Sequence, residues 1–433
     1  MFHLIFNKNS IFIMEFFPLY NKNKENSKDF VNLKGRKAKI VISKRMKNNN
    51  KIILKSNFFI IVVLLMTTKY YFFIYSFEYI YKVQGINYLK KCMDKLNKSK
   101  TISSFNLFNL KEYPKITVII PVYNCQESIK LTLISILNQN IPEFEIILIN
   151  DNSNDNSSII INDMKKYDNR IKLINNLKNM GTLYSRCIGA LNAKGKYIFS
   201  LDNDDIFLNE DIFKKIYNIA KKLNFDIVEF KAFDIPNYQP KIKDIGQSYF
   251  NFHPNNLILY QPELSIFPIS KNNEYFSNDN LIWGKCIKTK LYQISVNSLG
   301  TKRYSIYNCW TEDISIILVI FNLANSYIFL NKYGIFHLNS NITSTFTLHQ
   351  DHKIFSEIYL LDIIIDYLKK TENNTKLVIF KTYDIFNKIK NNKLSQVNKN
   401  YLKLVLQKIQ NYQYINQKEK QNLAIRFNEF LKY

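Results

Sequence analysis

The chain has 433 residues, of which 60 are lysine or arginine and 35 are aspartate or glutamate, so its formal net charge is +25. Hydrophobic residues make up 46% of the chain, with 33 phenylalanines and 29 tyrosines, and this apolar content excludes a globally disordered protein. The five cysteines form no C-x-x-C pair, which excludes a zinc ribbon and a thioredoxin-type redox site.

The positive charge is a weak indication of a nucleic-acid partner. Only six of the 60 basic residues are arginine, and recognition of phosphates and bases favours the planar fork of arginine over the ammonium of lysine. We therefore expect a solvated, lysine-rich surface and no nucleic-acid partner.

The beginning of the chain predicts a tail, a membrane anchor and a stem. Residues 1–56 are basic and irregular. Residues 57–77 are long enough to span a bilayer as a helix and carry one charge, Lys69, so we expect a transmembrane signal anchor there. A buried core helix is the alternative. Residues 78–113 predict a polar, partly helical stem.

Strands and helices alternate from residue 115 onwards. The expected strands are 116–121, 145–150, 171–175, 196–201 and 226–230, and the expected helices are 127–139, 157–167, 183–193 and 210–223. This alternation predicts βαβ units and a parallel sheet covered by helices on both faces. The carboxyl ends of such strands meet at one edge, where ligands bind.

Polar residues follow three of the expected strands at that edge. Pro121-Val-Tyr-Asn124 follows the first strand, Asp151 to Asp155 the second, and Asp202-Asn-Asp-Asp205 the fourth. Alternate carboxylates at a strand end are typical of a site for a hard cation such as Mg²⁺ or Mn²⁺. The alternative is that Asp204 and Asp205 cap the next helix.

Two further candidates for ligand binding are Asp151 and the segment that contains Gly181 and Arg186. The carboxylate of Asp151 can accept a hydrogen bond from a nucleobase or a ribose hydroxyl, although an Asx-turn or a helix cap is the alternative. Gly181 permits close approach of the backbone to a ligand. Arg186 can meet a phosphate or orient the carboxylates, or it can form a structural salt bridge.

Taken in order, these motifs resemble those of the family-2 glycosyltransferases, the inverting GT-A class. The matching elements are Pro121-Val-Tyr-Asn124, Asp151-x-Ser153-x-Asp155, Asn179-x-Gly181 with Arg186, Gly195-Lys-Tyr-Ile198 and Leu201-Asp-x-Asp-Asp205. The resemblance covers residues 114 to 234 most firmly. It implies an α/β fold with a Rossmann-like mixed sheet over residues 114–348. The predicted transmembrane helix precedes this domain, and a helical region, residues 349–433, follows it.

The resemblance also implies a role for each matching residue. Nucleotide-sugar binding is expected of Pro121, Tyr123, Asn124, Asp151, Ser153, Asp155, Asn179, Gly181, Arg186, Asp202 and Asn203. Asp202 and Asp204 are the expected metal ligands.

The second half of the chain resembles the family less tightly. Trp283 and Lys285 resemble an acceptor-side element, with a core aromatic residue as the alternative for Trp283. Glu312 and Asp313 resemble an acidic pair in which Asp313 is the catalytic base and Glu312 lies on the acceptor side. Acids are also favoured at a helix start by the macrodipole, which is the alternative for this pair.

The implied activity is that of an inverting glycosyltransferase of the hexosyltransferase type. Such an enzyme moves a sugar from a nucleotide-diphosphate donor, here a UDP-sugar, to a hydroxyl of a glycan, lipid or protein, with Mn²⁺ or Mg²⁺ as cofactor. A catalytically inactive, membrane-anchored module that binds sugar nucleotides or glycans is the alternative. A nucleotidyltransferase is disfavoured, because residues 123–128 are not the glycine-rich basic loop that a triphosphate needs.

Basic residues flank the predicted anchor unevenly, with six over residues 39–55 and four over residues 82–95. This bias favours a cytoplasmic N-terminus. We therefore expect a single-pass type II membrane protein whose catalytic domain faces the lumen of the Golgi or the endoplasmic reticulum. A cytosol-facing catalytic domain is the alternative.

Overall fold

The computed structural model divides the chain into two compact units, Met1–Tyr75 and Ser76–Tyr433. The residues that the structure describes are 2–5, 13–16, 78–97, 113–247, 257–261, 281–308, 311–338, 350–367, 372–390, 395–412 and 415–431. In the first unit, β1 (Phe2–Ile5) pairs with β2 (Ile13–Phe16) in an antiparallel arrangement.

The predicted membrane anchor, residues 57–77, lies outside the described residues. Within the described ranges, none of the helices combines the length and the apolar composition that crossing a bilayer requires.

In the described part of the second unit, ten strands form one sheet. They are β3 (Ile116–Val122), β4 (Phe144–Asn150), β5 (Ile171–Asn175), β6 (Tyr197–Ser200), β7 (Ile206–Phe207), β8 (Ile227–Ile235), β9 (Gly246–Gln247), β10 (Ile258–Tyr260), β11 (Lys285–Lys288) and β12 (Ser326–Leu338). The main path runs β10-β12-β8-β11-β6-β3-β4-β5, with β7 paired to β12 and β9 paired to β8.

Helices cover this sheet and continue beyond it. They are α1 (78–97), α2 (Ile129–Leu137), α3 (Ser157–Lys165), α4 (Thr182–Asn192), α5 (Ile212–Leu223), α6 (Thr289–Leu299), α7 (Thr301–Tyr304), α8 (Glu312–Leu323), α9 (Gln350–Tyr367), α10 (Glu372–Lys390), α11 (Gln396–Gln410) and α12 (Gln417–Leu431). A short 3₁₀ turn spans Ile242–Asp244.

The first half of the sheet follows the predicted βαβ pattern. Strands β5, β4, β3 and β6 are parallel neighbours, and all residues of β3 and β4 are buried, as expected for strands covered on both faces. Because these strands are parallel, β3, β4 and β6 end at the same edge. The acidic segments that follow β4 and β6 are therefore placed on one rim.

The second half of the sheet departs from a purely parallel arrangement. Strand β11 runs antiparallel to both of its neighbours, β6 and β8, and it separates them. The sheet is consequently mixed, which confirms the predicted mixed α/β fold class with a helical C-terminal region. Because β11 is antiparallel to both β6 and β8, these two strands run parallel to each other. The carboxyl end of β8 therefore lies at the same rim as the carboxyl end of β6.

Helix α1 belongs to the body of the second unit, although its sequence predicts a polar stem. Tyr88 and Cys92 are buried, and the Tyr88 hydroxyl donates to the carbonyl of Ser135 in α2 at 2.8 Å. Gly85 allows α1 to lie close to Leu208 and Phe336, since a Cβ there would lie 2.5 Å from atoms of both residues. Part of the predicted stem therefore acts as a covering helix.

The C-terminal helices α9 to α12 form a second apolar core. Its members include Ile358 and Leu361 of α9, Leu406 of α11 and Leu423 of α12, and Leu318 of α8 joins them. Helix α8 thus packs partly against the C-terminal helices while its first turn points to the rim. This arrangement agrees with the expectation that the last helices flank the fold.

Candidate active site

The loops after β3 and β4 are tied to each other by the residues of two predicted motifs. Asn124 adopts a left-handed conformation (φ 48°), and its backbone N–H donates to the hydroxyl of Ser153 at 3.1 Å. Asp155 accepts from the backbone N–H groups of Gln126 and Ser157 at 2.9 and 3.0 Å. Ser153 and Asp155 therefore shape the loops, and their predicted contacts with a nucleotide stay predictions.

Asp151 holds the loop that leads into α4. Its carboxylate accepts hydrogen bonds from the backbone N–H groups of Met180 (2.8 Å) and Gly181 (2.7 Å) and from the Asn176 side chain (2.7 Å). Gly181 has φ 88°, a conformation that L-residues rarely adopt. The carboxylate predicted to bind the nucleobase thus also fixes the start of α4.

The remaining predicted donor-binding residues lie around the same loops. The Asn203 side chain donates to the carbonyl of Pro121 at 3.1 Å, which links the ends of β6 and β3. Asn179 accepts from the backbone N–H of Gly181 at 3.1 Å. Tyr123 is 38% exposed and is accessible to a ligand.

Arg186 lies between two of the predicted functional acids. Its side chain is 2% exposed and projects from α4. The Nη2 atom donates to Asp202 Oδ1 at 2.8 Å, and the Nε atom lies 3.3 Å from Asp313 Oδ1. One guanidinium therefore joins the acid after β6 to the acid at the start of α8, although these acids are far apart in sequence.

Charge and burial act in opposite directions on this group. Burial lowers the pKa of the Arg186 guanidinium, but the carboxylates of Asp313 and Asp202 outweigh it, so the pKa is raised and the cation is retained. Burial raises the pKa of Asp313, and the positive charge of Arg186 opposes this shift without cancelling it, so the pKa stays raised. Burial and the neighbouring Asp313 raise the pKa of Glu312 to about 8.

A group able to hold a metal ion lies beside this bridge, and it differs from the predicted pair. Within the described part of the chain, Asp202, Asp205 and His337 bring ligand atoms within 4.8 Å of one another. Asp204, which the sequence paired with Asp202, is not in this group. Adjacent residues at the strand end point in different directions, and sequence spacing alone does not decide which one turns toward Asp202.

The donor set fits a divalent cation. Asp205 is fully buried, and its Oδ2 atom has no hydrogen-bond partner in the structure, while its Oδ1 lies 2.9 Å from His337 Nδ1. Carboxylates suit Mg²⁺ and Mn²⁺, and imidazole suits Zn²⁺ and Fe²⁺, so this mixed set fits a divalent cation without selecting one. Burial lowers the pKa of His337, but Asp205 raises it to about 10, so a cation must displace the imidazole proton to bind.

His337 and Asp205 were not among the predicted metal ligands. They are separated by 132 positions and meet because β12 places His337 near the turn after β6. In the sequence, His337 is a single histidine near the end of an apolar segment, and this pattern does not by itself identify Asp205 as its partner. The Trp283 ring stacks on the His337 ring with centroids 4.7 Å apart, so Trp283 supports this imidazole from one side.

Lys285 differs from its predicted acceptor-side position. Its side chain is fully buried in the sheet, where its ammonium lies 3.0 Å from Glu229 and donates to the carbonyl of Leu281 at 2.6 Å. A buried ammonium needs such partners to offset its desolvation. The structure therefore gives Lys285 a role inside the sheet and no open surface toward an acceptor.

Comparison with known proteins agrees with the motifs. Residues 117–268 match the family model described as Glycosyl transferase family 2. The glycosyltransferase GlyA of Streptococcus pneumoniae is 30% identical over 226 residues, which are 50% of this chain and 30% of that protein. The poly(ribitol-phosphate) beta-N-acetylglucosaminyltransferase TarP of Staphylococcus aureus is 36% identical over 26% of this chain and 35% of its own length.

The fold comparison is broader. A crystal structure of S. aureus TarS in complex with UDP-GlcNAc superposes with a TM-score of 0.51 at 14% identity, over 73% of this chain and 89% of that chain. This likeness shows the GT-A type of fold. The chain spans less than half the length of the first curated relatives that it matches. The resemblance to family 2 that the motifs indicated is confirmed.

Proposed function

We propose that this chain, whose residues 117–268 match the model of glycosyltransferase family 2, transfers a sugar from a UDP-sugar to a hydroxyl acceptor with inversion at the anomeric carbon. The observation that carries the proposal is the Arg186 bridge, in which one guanidinium contacts both Asp202 and Asp313. A purely structural salt bridge needs only one acid beside the guanidinium. A donor site needs a cation near the departing phosphate, and a catalytic base needs a cation that favours its ionised form, so a transferase gives both acids a reason to contact Arg186.

The donor occupies the rim formed by the ends of β3, β4 and β6 in this proposal. The nucleotide lies near Asp151, Tyr123 and Gly181, and its diphosphate lies near Asp202 and Arg186. The choice of UDP is supported by the TarS fold relative, whose structure contains UDP-GlcNAc. The acceptor is a hydroxyl of a glycan, lipid or protein, and TarP shows that relatives of this segment act on a polymeric acceptor.

Asp313 is the base in this mechanism. It takes the proton of the acceptor hydroxyl while that oxygen attacks the anomeric carbon and the bond to the diphosphate breaks. Its second oxygen accepts from the backbone N–H of Ile282 at 3.2 Å, which fixes the orientation of the carboxylate. One base is enough for a single displacement, and inversion follows because attack and departure occur on opposite faces of the sugar.

Arg186 serves both partners of the reaction. Its charge favours the ionised form of Asp313 and stabilises the negative charge that develops on the departing phosphate. Asp202, Asp205 and His337 would hold a divalent cation, which when bound supplies positive charge to the leaving diphosphate. Glu312 neighbours Asp313, and burial raises the pKa of both carboxyls, so the charge of Arg186 is what favours ionisation of this pair.

A thermal-shift screen of nucleotide sugars with and without Mn²⁺ tests the proposal, followed by an assay of UDP release. We expect at least one UDP-sugar to raise the melting temperature, more strongly with Mn²⁺, and to be turned over. An inactive sugar-nucleotide-binding module would give the thermal shift without UDP release. Absence of both responses for every UDP-sugar would remove the proposed activity.

A further inference from the structure

The Arg186–Asp313 contact requires two helix starts to be held in a fixed relation. Arg186 lies in the second turn of α4, and Asp313 lies in the first turn of α8. These helices are more than a hundred residues apart in the chain. A shift of either helix by an ångström would separate the guanidinium from the carboxylate, so something must fix their relative position.

The backbone of Asn308 packs directly on the start of α4. Its carbonyl accepts from the backbone N–H of Leu183 at 3.3 Å. A Cβ on Gly181 would lie 3.1 Å from both the backbone N and the backbone O of Asn308. The glycine at this position therefore admits residue 308 against the loop that Asp151 holds.

The side chain of Asn308 holds the start of α8. Asn308 is fully buried, its Oδ1 accepts from the backbone N–H of Thr311 at 3.2 Å, and its Nδ2 donates to the Thr311 hydroxyl at 3.3 Å. Thr311 is the residue that precedes Glu312 at the N-terminus of α8. One asparagine thus binds α4 through its backbone and α8 through its amide.

The hydroxyl of Thr311 continues this connection into α9. It makes no capping bond within its own helix and instead donates to the carbonyl of Ser356 at 2.8 Å. Thr311 and Ser356 are 4% and 3% exposed, so water does not replace this bond easily. The start of α8 is therefore fixed from α4 on one side and from α9 on the other.

We propose that Asn308 and Thr311 are positioning residues for the transfer reaction, and that α9, which lies outside the family-matched segment, is part of the active-site scaffold. This inference rests on the proposed function. Neither residue touches substrate. Both act by keeping Asp313 in contact with Arg186, so their loss lowers the rate of transfer and leaves the donor-binding loops after β3 and β4 intact.

The test compares Thr311→Val, which keeps the shape and removes the hydroxyl, with Thr311→Ser, which keeps the hydroxyl. We expect Thr311→Val to lower kcat for UDP release on the order of tenfold, with an unchanged donor KM, and Thr311→Ser to restore most of the rate. Thr382→Val is the matched control, because that buried threonine donates to the carbonyl of Val378 within α10, away from the rim.

Two results would overturn the inference, provided that the wild-type enzyme is active. In the first, Thr311→Val has the same kcat as the wild type. In the second, Thr311→Val and Thr382→Val lose the same fraction of kcat and the same number of degrees in melting temperature. If Thr311→Val does not fold, Thr311→Ala removes the same hydroxyl with less crowding and is judged by the same criterion, a lowered kcat with an unchanged donor KM. Failure of the proposed function is distinct, because it would appear as a wild-type enzyme without turnover.

Discussion

Replacing Arg186 with lysine separates the geometry of the bridge from its charge. Lysine keeps one positive charge, but its ammonium is a point donor and cannot reproduce the fork that reaches both Asp202 and Asp313. Arg186 donates a hydrogen bond to Asp202, and loss of a hydrogen bond to a charged group costs about 1.5–3 kcal/mol. If this loss falls on the transition state, kcat decreases about 10- to 150-fold.

Steady-state UDP release measures this loss, and calorimetry with UDP measures donor binding in the same variant. Arg170→Lys is the matched control, because Arg170 is also buried and lies 2.6 Å from Asp168, but it precedes β5 at the edge opposite the rim. We expect Arg170→Lys to affect stability and leave kcat unchanged. Equal kcat values for Arg186→Lys and the wild type would refute the assignment of the bridge.

Four further predictions follow from the same rim. Asp313→Asn should lower transfer by about 10²- to 10⁴-fold while calorimetry still detects UDP binding, and full activity would remove the base assignment. Asp205→Asn should raise the Mn²⁺ concentration for half-maximal activity by at least about tenfold, and more than Asp204→Asn does; the reverse order would favour the pair expected from the sequence. Gly181→Ala should cost about 1–3 kcal/mol in the free energy of unfolding, because φ is 88° and Asn308 blocks the Cβ, and an unchanged urea midpoint would contradict this. The pKa of Glu312 rises on folding from 4.5 to about 8, so the folded state binds the proton more tightly and loses stability as pH rises through that interval; Glu312→Gln should lose less stability than the wild type between pH 5 and pH 8 in urea titrations, and an equal loss would contradict this assignment.

The sequence predicts which strand ends form the rim, but it does not predict which side chains contact one another there. The fold and the placement of Asp151 and Asp202 are predicted by the apolar runs of β3 and β4 and by the acids that follow the strands, because parallel strands end at one edge. Asp205, and not Asp204, lies beside Asp202 and His337 because of how the turn after β6 twists, and His337 itself comes from β12. No spacing rule relates such distant residues.

The remaining differences have the same origin in tertiary contacts. Strand β11 has only four residues, and nothing in them specifies the antiparallel position between β6 and β8. Lys285 carries a charge that usually indicates the surface, yet Glu229 compensates it inside the sheet. Helix α1 looked like a polar stem, because its exposed face is lysine-rich and its buried face contributes only a few residues to the core.

The anomeric configuration of the product tests the central claim most directly. Proton NMR of a reaction with an active UDP-sugar and a hydroxyl acceptor follows the anomeric signal of the donor and that of the product while transfer proceeds. A single displacement with Asp313 as its one base predicts that an α-linked donor gives a β-linked product. A product with retained configuration would contradict the mechanism built on Asp202, Arg186 and Asp313.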